Sequence, residues 1–370
     1  MPQNTPAQQS LSYIRAIAAY QPGKPITELA RELGLPVERI VKLASNENPL
    51  GMSPRGKAAA EAALAGGERY PDPFDLIQKL AARHGVAASQ IVLGNGSNDV
   101  LDLIARVFLD SGRSAIASQY AFAVYPIATL SVGGDLLTVP ARQFGHDLDA
   151  MRDAIRPDTR VIWIANPNNP TGTFLSASAL RDFLARVPEN VIVVLDEAYT
   201  EYLAPADQYD AVGWIAEFPN LIVSRTFSKI YGMAGLRLGY GIAAAPVADL
   251  LNRVRQPFNC NNLALAAAEA ALDDADFLHR SFAANRDGMT TLVTALKALG
   301  LEIIPSSGNF LTFKAGADAS RTAAVNQALL RQGVIVRPLV GYQMPEWLRV
   351  TIGTAAENER FLAALKVVLG

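Results

Sequence analysis

Residues 224–240 read SRTFSKIYGMAGLRLGY and place Lys229 between hydroxyl side chains and a glycine-spaced arginine. The apolar neighbours Phe227 and Ile230 can bury the lysine, and burial lowers the pKa of an amine and makes it a better nucleophile at neutral pH. Hydroxyl and guanidinium groups suit phosphate oxygens, and the stretch supplies Thr226, Ser228 and Arg237. It therefore predicts a reactive lysine beside a phosphate site. A surface lysine in a glycine-rich loop is the alternative.

Composition limits the classes of protein to consider. The chain has 370 residues, of which 50% are hydrophobic, and a formal net charge of -2. This length allows one large core or two domains, and the near-neutral charge argues against nucleic acid as the main partner. The single cysteine, Cys260, excludes an intramolecular disulfide and is typical of a reducing compartment. One cysteine and three scattered histidines predict no metal site.

Targeting and membrane signals are not evident. Residues 1–10 are polar and lack a basic region followed by an apolar core, so we expect no secretory signal peptide. No apolar run approaches the roughly 20 residues of a membrane span. We therefore expect a cytoplasmic protein with no membrane association.

Apolar runs recur along the middle of the chain, and they are near-continuous rather than alternating. Buried parallel strands have this pattern. A helix is predicted between two of the runs, at 176–187, with Ser176 as its N-cap. Strands that alternate with helices predict a wound, mostly parallel α/β sheet. The predicted strands cover 91–93, 115–117, 136–139, 161–164, 191–195 and 221–223.

Polar motifs follow three of these strands: Asn166-Pro-Asn-Asn-Pro-Thr-Gly172, Asp196-Glu-Ala-Tyr199 and the lysine stretch. Ligands of such sheets bind at the carboxyl ends of the strands. The carboxylate of Asp196 ends an apolar run, where a charge is costly unless it is paired. Asp196 is therefore predicted to meet a cationic ligand group, with a helix cap at the strand end as the alternative.

A fourth polar motif, Gly94-Asn-Gly-Ser-Asn-Asp99, joins strand 91–93 to a predicted helix. A strand, a glycine turn and a helix N-terminus together form an anion site. The third glycine of a dinucleotide fingerprint is replaced by Asp99, so the phosphate of a smaller cofactor fits better. Ser97 as a simple helix N-cap is the alternative.

The pattern changes near residue 265, where an alanine-rich helix, a second long helix, short strands and a closing helix follow. This predicts a smaller α+β domain of ordinary size. We divide the chain into an N-terminal arm that packs on the small domain (1–45), a large α/β domain (46–265) and the small domain (266–370). The arm holds a short helix at 26–33 that ends at Gly34.

Taken together, the sequence resembles the histidinol-phosphate aminotransferases, which are fold-type I enzymes dependent on pyridoxal 5'-phosphate (PLP). The resemblance covers the whole chain and implies their fold, a mostly parallel large domain with a smaller α+β domain. Besides the lysine stretch, it rests on Tyr20-Gln-Pro-Gly-Lys-Pro25, Asn46-Glu-Asn-Pro49, Arg69-Tyr-Pro-Asp72, Gly94-Asn-Gly-Ser-Asn-Asp99, Asn166-Pro-Asn-Asn-Pro-Thr-Gly172, Asp196-Glu-Ala-Tyr199 and Leu348-Arg-Val-Thr-Ile-Gly353.

The resemblance implies roles around PLP. Lys229 is the Schiff-base lysine and proton carrier, Asp196 faces the pyridine nitrogen, and Asn169 and Tyr199 contact the phenolate oxygen. Hydrogen bonding in a turn or core is the alternative for those two residues. Phe122 is the stacking aromatic. The phosphate ligands are Ser97, Asn98, Thr226, Ser228 and Arg237, joined by Tyr70 of the partner subunit in a homodimer.

The implied reaction is amino transfer between L-histidinol phosphate and 2-oxoglutarate, which gives imidazole acetol phosphate and L-glutamate, in histidine biosynthesis. Tyr20, Arg337 and Arg349 resemble the residues that bind substrate anions, and Asn46 lies in a loop, 42–51, that is either substrate-lining or a simple connector. A guanidinium can bind a phosphate or a carboxylate, so Arg349 can serve both substrates in a ping-pong mechanism.

Other functions of the same fold stay open. An aromatic amino acid aminotransferase or a related PLP-dependent decarboxylase would differ only in the pocket. Phe122, Phe258 and Gln343 depart from residues common in the family and bear on that choice. A PLP-sensing regulator needs a DNA-binding segment, and no basic helix-turn-helix pattern precedes Asn46.

Overall fold

The computed structural model describes residues 5–370. Strands, in chain order, are β1 (Val41–Lys42), β2 (Ile91–Gly94), β3 (Ser114–Ser118), β4 (Asp135–Val139), β5 (Thr159–Ala165), β6 (Ile192–Asp196), β7 (Leu221–Thr226), β8 (Gly239–Ile242), β9 (Ile303–Ile304), β10 (Phe310–Lys314), β11 (Val334–Ile335), β12 (Arg337–Pro338) and β13 (Trp347–Thr351). Helices are α1 (Ser12–Arg15), α2 (Ile26–Leu33), α3 (Pro54–Ala63), α4 (Phe74–His84), α5 (Ser97–Phe108), α6 (Val124–Ser131), α7 (Leu148–Asp153), α8 (Ala177–Leu184), α9 (Ala245–Val254), α10 (Asn262–Ala271), α11 (Ala275–Ala298), α12 (Ala319–Arg331) and α13 (Ala355–Leu369).

The central sheet of the described chain has seven strands in the order β2-β8-β7-β6-β5-β3-β4. All of them run in one direction except β8, which is antiparallel to both of its neighbours. Strands β3, β5 and β6 are buried almost throughout, as expected for a sheet covered on both faces. The expected α/β fold with a mostly parallel sheet is confirmed.

Strand β8 of the central sheet was not expected from the sequence. Its segment Gly-Tyr-Gly-Ile carries two glycines and ends the lysine stretch, so it has no apolar run that predicts a strand. A side chain on Gly239 would collide with the backbone of Ser97, and one on Gly241 would collide with Val100. The glycines therefore let β8 pass directly beneath the N-terminus of α5.

The helix ends predicted from capping residues can be compared with the structure one by one. Helix α2 ends at Gly34, whose φ of 63° is the left-handed conformation that stops a helix. Helix α8 begins after Ser176, whose hydroxyl accepts the backbone N–H of Ala179 at 3.3 Å, as expected. The alternative that Ser97 caps α5 is wrong, because the N-cap is Gly96 and Ser97 is the first helical residue.

The C-terminal part of the chain forms a second, antiparallel sheet in the order β12-β13-β10-β9. A hydrophobic cluster joins it to α11, α12 and α13 through residues such as Leu292, Leu329 and Phe361. Strand β1 pairs in parallel with β11, and Leu43 belongs to the same cluster, so residues 41–43 pack on this part. The division of the chain at residues 46 and 266 stays a prediction.

Candidate active site

A cavity of about 370 Å³ opens at the carboxyl ends of β5, β6 and β7. Its size is in the range of small-molecule sites. Strand β13 and the segments 20–23 and 42–47 close it from the other side. Of the predicted site residues, the cavity is lined by Tyr20, Asn46, Ser97, Asn98, Phe122, Asn169, Asp196, Tyr199, Thr226, Ser228, Lys229, Arg237, Arg337 and Arg349.

Asp196 ends β6 at the bottom of the cavity, and it is 4% exposed. Its Oδ2 atom accepts a hydrogen bond from the Tyr125 hydroxyl at 2.9 Å. Its Oδ1 atom is buried and has no partner within residues 5–370. Burial raises the pKa of Asp196 to about 6, although the hydrogen bond from Tyr125 opposes this rise. An unpaired buried carboxylate oxygen fits a cationic ring nitrogen such as that of PLP.

Lys229 follows β7 and is half-buried in the cavity. Its Nζ atom donates to the carbonyl oxygen of Ser45 at 3.4 Å and lies 5.5 Å from the ring centroid of Tyr199. Burial and, after it, the positive charge of Arg349 lower the pKa of Lys229 to about 8. A substantial fraction of the amine is therefore neutral near physiological pH, as a nucleophile or a base must be.

The predicted phosphate site combines the N-terminus of α5 with side chains from the end of β7 and the loop after it. Arg237 donates to the Ser228 hydroxyl at 3.4 Å, and the Ser228 backbone N–H donates to the Thr226 hydroxyl at 3.1 Å. A side chain on Gly96, where φ is 81°, would collide with the Arg237 guanidinium. The groups thus converge on one cradle of N–H, hydroxyl and guanidinium donors, which fits a phosphate.

Arg349 comes from β13 and reaches the cavity from the C-terminal part. It is 5% exposed, and its guanidinium donates to Oδ1 of Asn169 and to the carbonyl oxygen of Ala44, the latter at 2.9 Å. Because Oδ1 of Asn169 is occupied as an acceptor, its Nδ2 group is the donor left for a ligand. Burial lowers the pKa of Arg349, and an anion bound beside it would offset that cost.

The mouth of the cavity holds Tyr20 and Arg337. The Arg337 guanidinium lies 5.3 Å from the Tyr20 ring centroid and donates to the carbonyl oxygen of Gln21 at 2.6 Å. Tyr20 is 51% exposed. These contacts join the N-terminal segment to β12 at the cavity lining.

Tyr70 is the predicted cofactor ligand that this chain does not bring to its own cavity. It is 79% exposed and stacks on Phe258, with ring centroids 4.3 Å apart and an interplanar angle of 18°. Phe258 has a φ of 56° and is 56% exposed. A large aromatic pair is thus held on the surface.

Sequence reasoning missed residues that support the site from behind or line its wall. Tyr125 lies three residues after Phe122, the predicted stacking aromatic, but nothing local in the sequence indicated that its hydroxyl donates to Asp196. Its ring stacks on Trp163 at 5.4 Å and meets the edge of Phe122 at 5.8 Å. Tyr342 also lines the cavity without any indication from the sequence, whereas Lys42, Ser45 and Glu47 belong to the loop 42–51, for which a lining role was one of the two alternatives.

Metal-binding and membrane-spanning features are absent from the described residues, 5–370. They contain no cluster of three or more histidine, cysteine or acidic side chains placed to hold a metal ion. None of the helices in that range is both long enough and apolar enough to cross a membrane.

Comparison with known proteins gave consistent matches. Residues 38–365 match the family model for aminotransferase class I and II. Histidinol-phosphate aminotransferase 1 of Dechloromonas aromatica is 67% identical over 363 residues, which are 98% of this chain and 99% of that one. The protein of the same name from Thiobacillus denitrificans is 62% identical, over 96% of this chain and 92% of that one. The crystal structure of histidinol-phosphate aminotransferase from Sinorhizobium meliloti with PLP superposes with a TM-score of 0.88 at 29% identity, covering 98% of this chain and 97% of that one.

Proposed function

The chain belongs to the class I and II aminotransferases and, within them, to the histidinol-phosphate aminotransferases, and we propose that it transfers an amino group between L-histidinol phosphate and 2-oxoglutarate in histidine biosynthesis. It is a PLP-dependent enzyme. The observation that carries the proposal is that Lys229, Asp196 and Arg349 line one cavity. They supply a nucleophilic amine, an unpaired carboxylate oxygen and a buried anion-binding guanidinium.

Different residues of the cavity are proposed to bind different parts of the cofactor. We assign the pyridine nitrogen to Asp196, the phenolate oxygen to Asn169 and Tyr199, and the ring face to Phe122. We assign the phosphate group of PLP to the donor groups of Ser97, Asn98, Thr226, Ser228 and Arg237. When bound, PLP supplies an electron-withdrawing ring that stabilises negative charge at the substrate carbon that loses a proton.

Lys229 performs the proton transfers in this proposal. Its Nζ atom would hold the cofactor at its aldehyde group, and the free Lys229 amine would take the proton from the substrate carbon. Its lowered pKa of about 8 matches a base that works near neutral pH. The carbonyl oxygen of Ser45, 3.4 Å away, provides an acceptor that holds the ammonium form between transfers.

Arg349 and Arg337 select the substrates. The amino donor carries a phosphate and no carboxylate, whereas the acceptor carries carboxylates and no phosphate. A guanidinium binds both anions through paired N–H donors. Arg349 is held in place by Asn169 and Ala44, whereas Arg337 lies beside Tyr20. The phosphate or carboxylate of a substrate can therefore bind to the buried Arg349 or to the more exposed Arg337.

A substrate panel tests the proposal. Histidinol phosphate, phenylalanine, tyrosine and aspartate are compared as amino donors, with 2-oxoglutarate as the acceptor and kcat/KM as the readout. Histidinol phosphate should be preferred by tenfold or more, roughly 1.4 kcal/mol in transition-state binding. A preference for phenylalanine or tyrosine would instead identify an aromatic amino acid aminotransferase. Release of carbon dioxide without amino transfer would identify a decarboxylase.

We also infer that the working form is a homodimer in which Tyr70 reaches the phosphate site of the partner subunit. The support is the exposed Tyr70–Phe258 stack, because exposed apolar surface can mark a protein–protein interface. Two-fold dimers are the commonest oligomers.

We further propose a cytoplasmic location. Its support is the single cysteine, Cys260, which is buried and free.

A further inference from the structure

Asn46 lies in the loop between β1 and α3, where its backbone is held from two sides. Its φ is 56°, and the residue is 1% exposed. Its N–H donates to the hydroxyl of Thr351 at 2.9 Å, and its carbonyl oxygen accepts from the side chain of Asn309 at 3.0 Å. A positive φ is uncommon outside glycine, but asparagine tolerates it better than most residues. The backbone contacts therefore fix where the Asn46 side chain begins.

The same contacts fix which way the Asn46 amide faces. Because the Thr351 hydroxyl oxygen already accepts from the backbone of Asn46, its own hydrogen is directed to Oδ1 of Asn46, 3.3 Å away. Oδ1 is thus the acceptor end of the amide. The Nδ2 end lies 2.9 Å from the Tyr199 hydroxyl and donates to it, since an amide nitrogen has no lone pair to accept with.

Tyr199 is left with one free hydrogen-bonding direction. Its hydroxyl oxygen accepts from Asn46, and among residues 5–370 no acceptor for its own hydrogen is present. The ring packs edge-on against Phe310 at 5.2 Å, and the side chain lines the cavity. Burial raises the pKa of Tyr199 to about 12, so the hydroxyl keeps its proton at neutral pH. The proton of a fixed, neutral phenol is therefore available to a ligand in the cavity.

We propose that Asn46 is a positioning residue for PLP rather than a substrate ligand: its amide occupies the Tyr199 oxygen and directs the Tyr199 proton to the phenolate oxygen of the cofactor. The inference rests on the proposed role of Tyr199 and is independent of the amino donor. It also gives Thr351 of β13 a part in cofactor binding, because Thr351 sets the orientation of the Asn46 amide.

Two substitutions distinguish the contribution of the Asn46 side-chain amide from that of its backbone conformation. Asn46→Gly keeps the positive φ without strain and removes the amide. Asn46→Asp keeps the shape but replaces the donor with an acceptor, so the Tyr199 proton turns to the new carboxylate. Equilibrium PLP binding to the apoenzyme should weaken about tenfold for Asn46→Gly, the effect of one hydrogen bond, and further for Asn46→Asp. A substrate ligand would instead raise KM and leave PLP affinity unchanged, which would overturn the proposal.

A double-mutant cycle with Tyr199→Phe decides whether Asn46 acts through Tyr199. In the Tyr199→Phe background, Asn46→Gly should change PLP affinity by no more than about twofold. Asn48→Ala is the matched control, because the Asn48 amide donates to the Ile230 carbonyl and the Ser281 hydroxyl, at 2.7 and 2.9 Å, and not to Tyr199. Its effect should be equal in both backgrounds.

Equal losses from Asn46→Gly in the two backgrounds would overturn the positioning role while leaving that of Tyr199 intact. If Tyr199→Phe alone leaves PLP affinity unchanged, the proposed role of Tyr199 fails, and the inference fails with it. Thr351→Val tests the same proposal independently if the substitutions at residue 46 prevent folding. It removes the orienting hydroxyl with little change of shape, and it should lower PLP affinity only when Tyr199 is present. An effect that persists with Tyr199→Phe would overturn the proposal.

Discussion

The hydroxyl of Tyr125 donates a hydrogen bond of 2.9 Å to Oδ2 of Asp196, while Oδ1 of the same carboxylate has no partner within residues 5–370. Tyr125 is fully buried and stacks on Trp163, whose indole N–H donates to Thr129 at 3.1 Å. The phenol is thus rigidly placed. One oxygen of Asp196 is therefore occupied by Tyr125, and the other is buried without a partner among the described residues.

Tyr125→Phe should weaken PLP binding and shift its pH dependence. The hydrogen bond from Tyr125 lowers the pKa of Asp196, which burial raises to about 6. Because only the ionised carboxylate pairs with a cationic nitrogen, PLP affinity should fall as the pH falls through about 6. Without Tyr125 the Asp196 pKa rises, and the fall should begin at a higher pH. Equilibrium binding of PLP to the apoenzyme, measured from pH 5 to 9, checks this expectation.

The control for that titration is Asp196→Asn. Because this variant has no carboxylate at position 196, its PLP affinity cannot change with pH through ionisation of Asp196. The difference between wild type and Asp196→Asn isolates the step due to Asp196 from the titration of PLP itself. An unchanged step in Tyr125→Phe would show that Tyr125 does not tune the carboxylate.

Asp196→Asn should also lower kcat on the order of a hundredfold or more, about 3 kcal/mol. The substitution keeps the side-chain shape but removes the negative charge that, in the proposal, keeps the ring nitrogen of PLP protonated. Single-turnover kinetics with histidinol phosphate measure the chemical step directly. A variant that retains most of the wild-type rate would contradict the assignment of Asp196.

The attachment of PLP to Lys229 should depend on pH with a midpoint near 8. Burial lowers the pKa of Lys229 to about 8, and the neutral amine, present above the pKa, is the nucleophile. The second-order rate of attachment to the apoenzyme should therefore rise with pH and level off above the midpoint. Stopped-flow absorbance follows the reaction.

Lys229→Ala should still bind PLP, but without a covalent bond that borohydride can reduce, and its turnover should fall by several orders of magnitude. An active Lys229→Ala enzyme would exclude the proposed role.

Subunit exchange tests the shared site. Lys229→Ala protein is mixed with Tyr70→Glu protein, whose carboxylate would repel the cofactor phosphate. In each heterodimer one site then receives both defects and the other receives none. Equal mixing should restore about a quarter of the wild-type activity, since about half the dimers are mixed and each has one intact site. Recovery no greater than the average of the two parents would indicate that Tyr70 acts within its own subunit. Sedimentation of the active species as a monomer would contradict the dimer itself.

The sequence by itself predicted the large sheet and much of the cavity lining. Long apolar runs predicted β5, β6 and β7, and the residues that follow such runs in a parallel sheet gather at one edge. Lys229, Asp196 and Asn169 could therefore be assigned to one site from their positions in the sequence. The helices and short strands of the small α+β part could also be predicted, because their apolar residues recur with helical or strand periodicity. Strand β8 was missed because its glycines leave no apolar pattern, and the Ser97 cap was wrong because Gly96 takes that place.

Only the tertiary structure decided how the site residues are paired. Asn46 donates to Tyr199 across 153 residues, Arg349 to Asn169 across 180, and Tyr125 to Asp196 across 71. Periodicity reports which residues share a face of one element, whereas a hydrogen bond depends on how separate elements pack to within a few tenths of an ångström. The sequence thus determined most of the chemical groups that line the cavity, and the packing of β13 and the 42–47 loop against the large sheet determined which atoms of those groups are paired and which are left unpaired among the described residues.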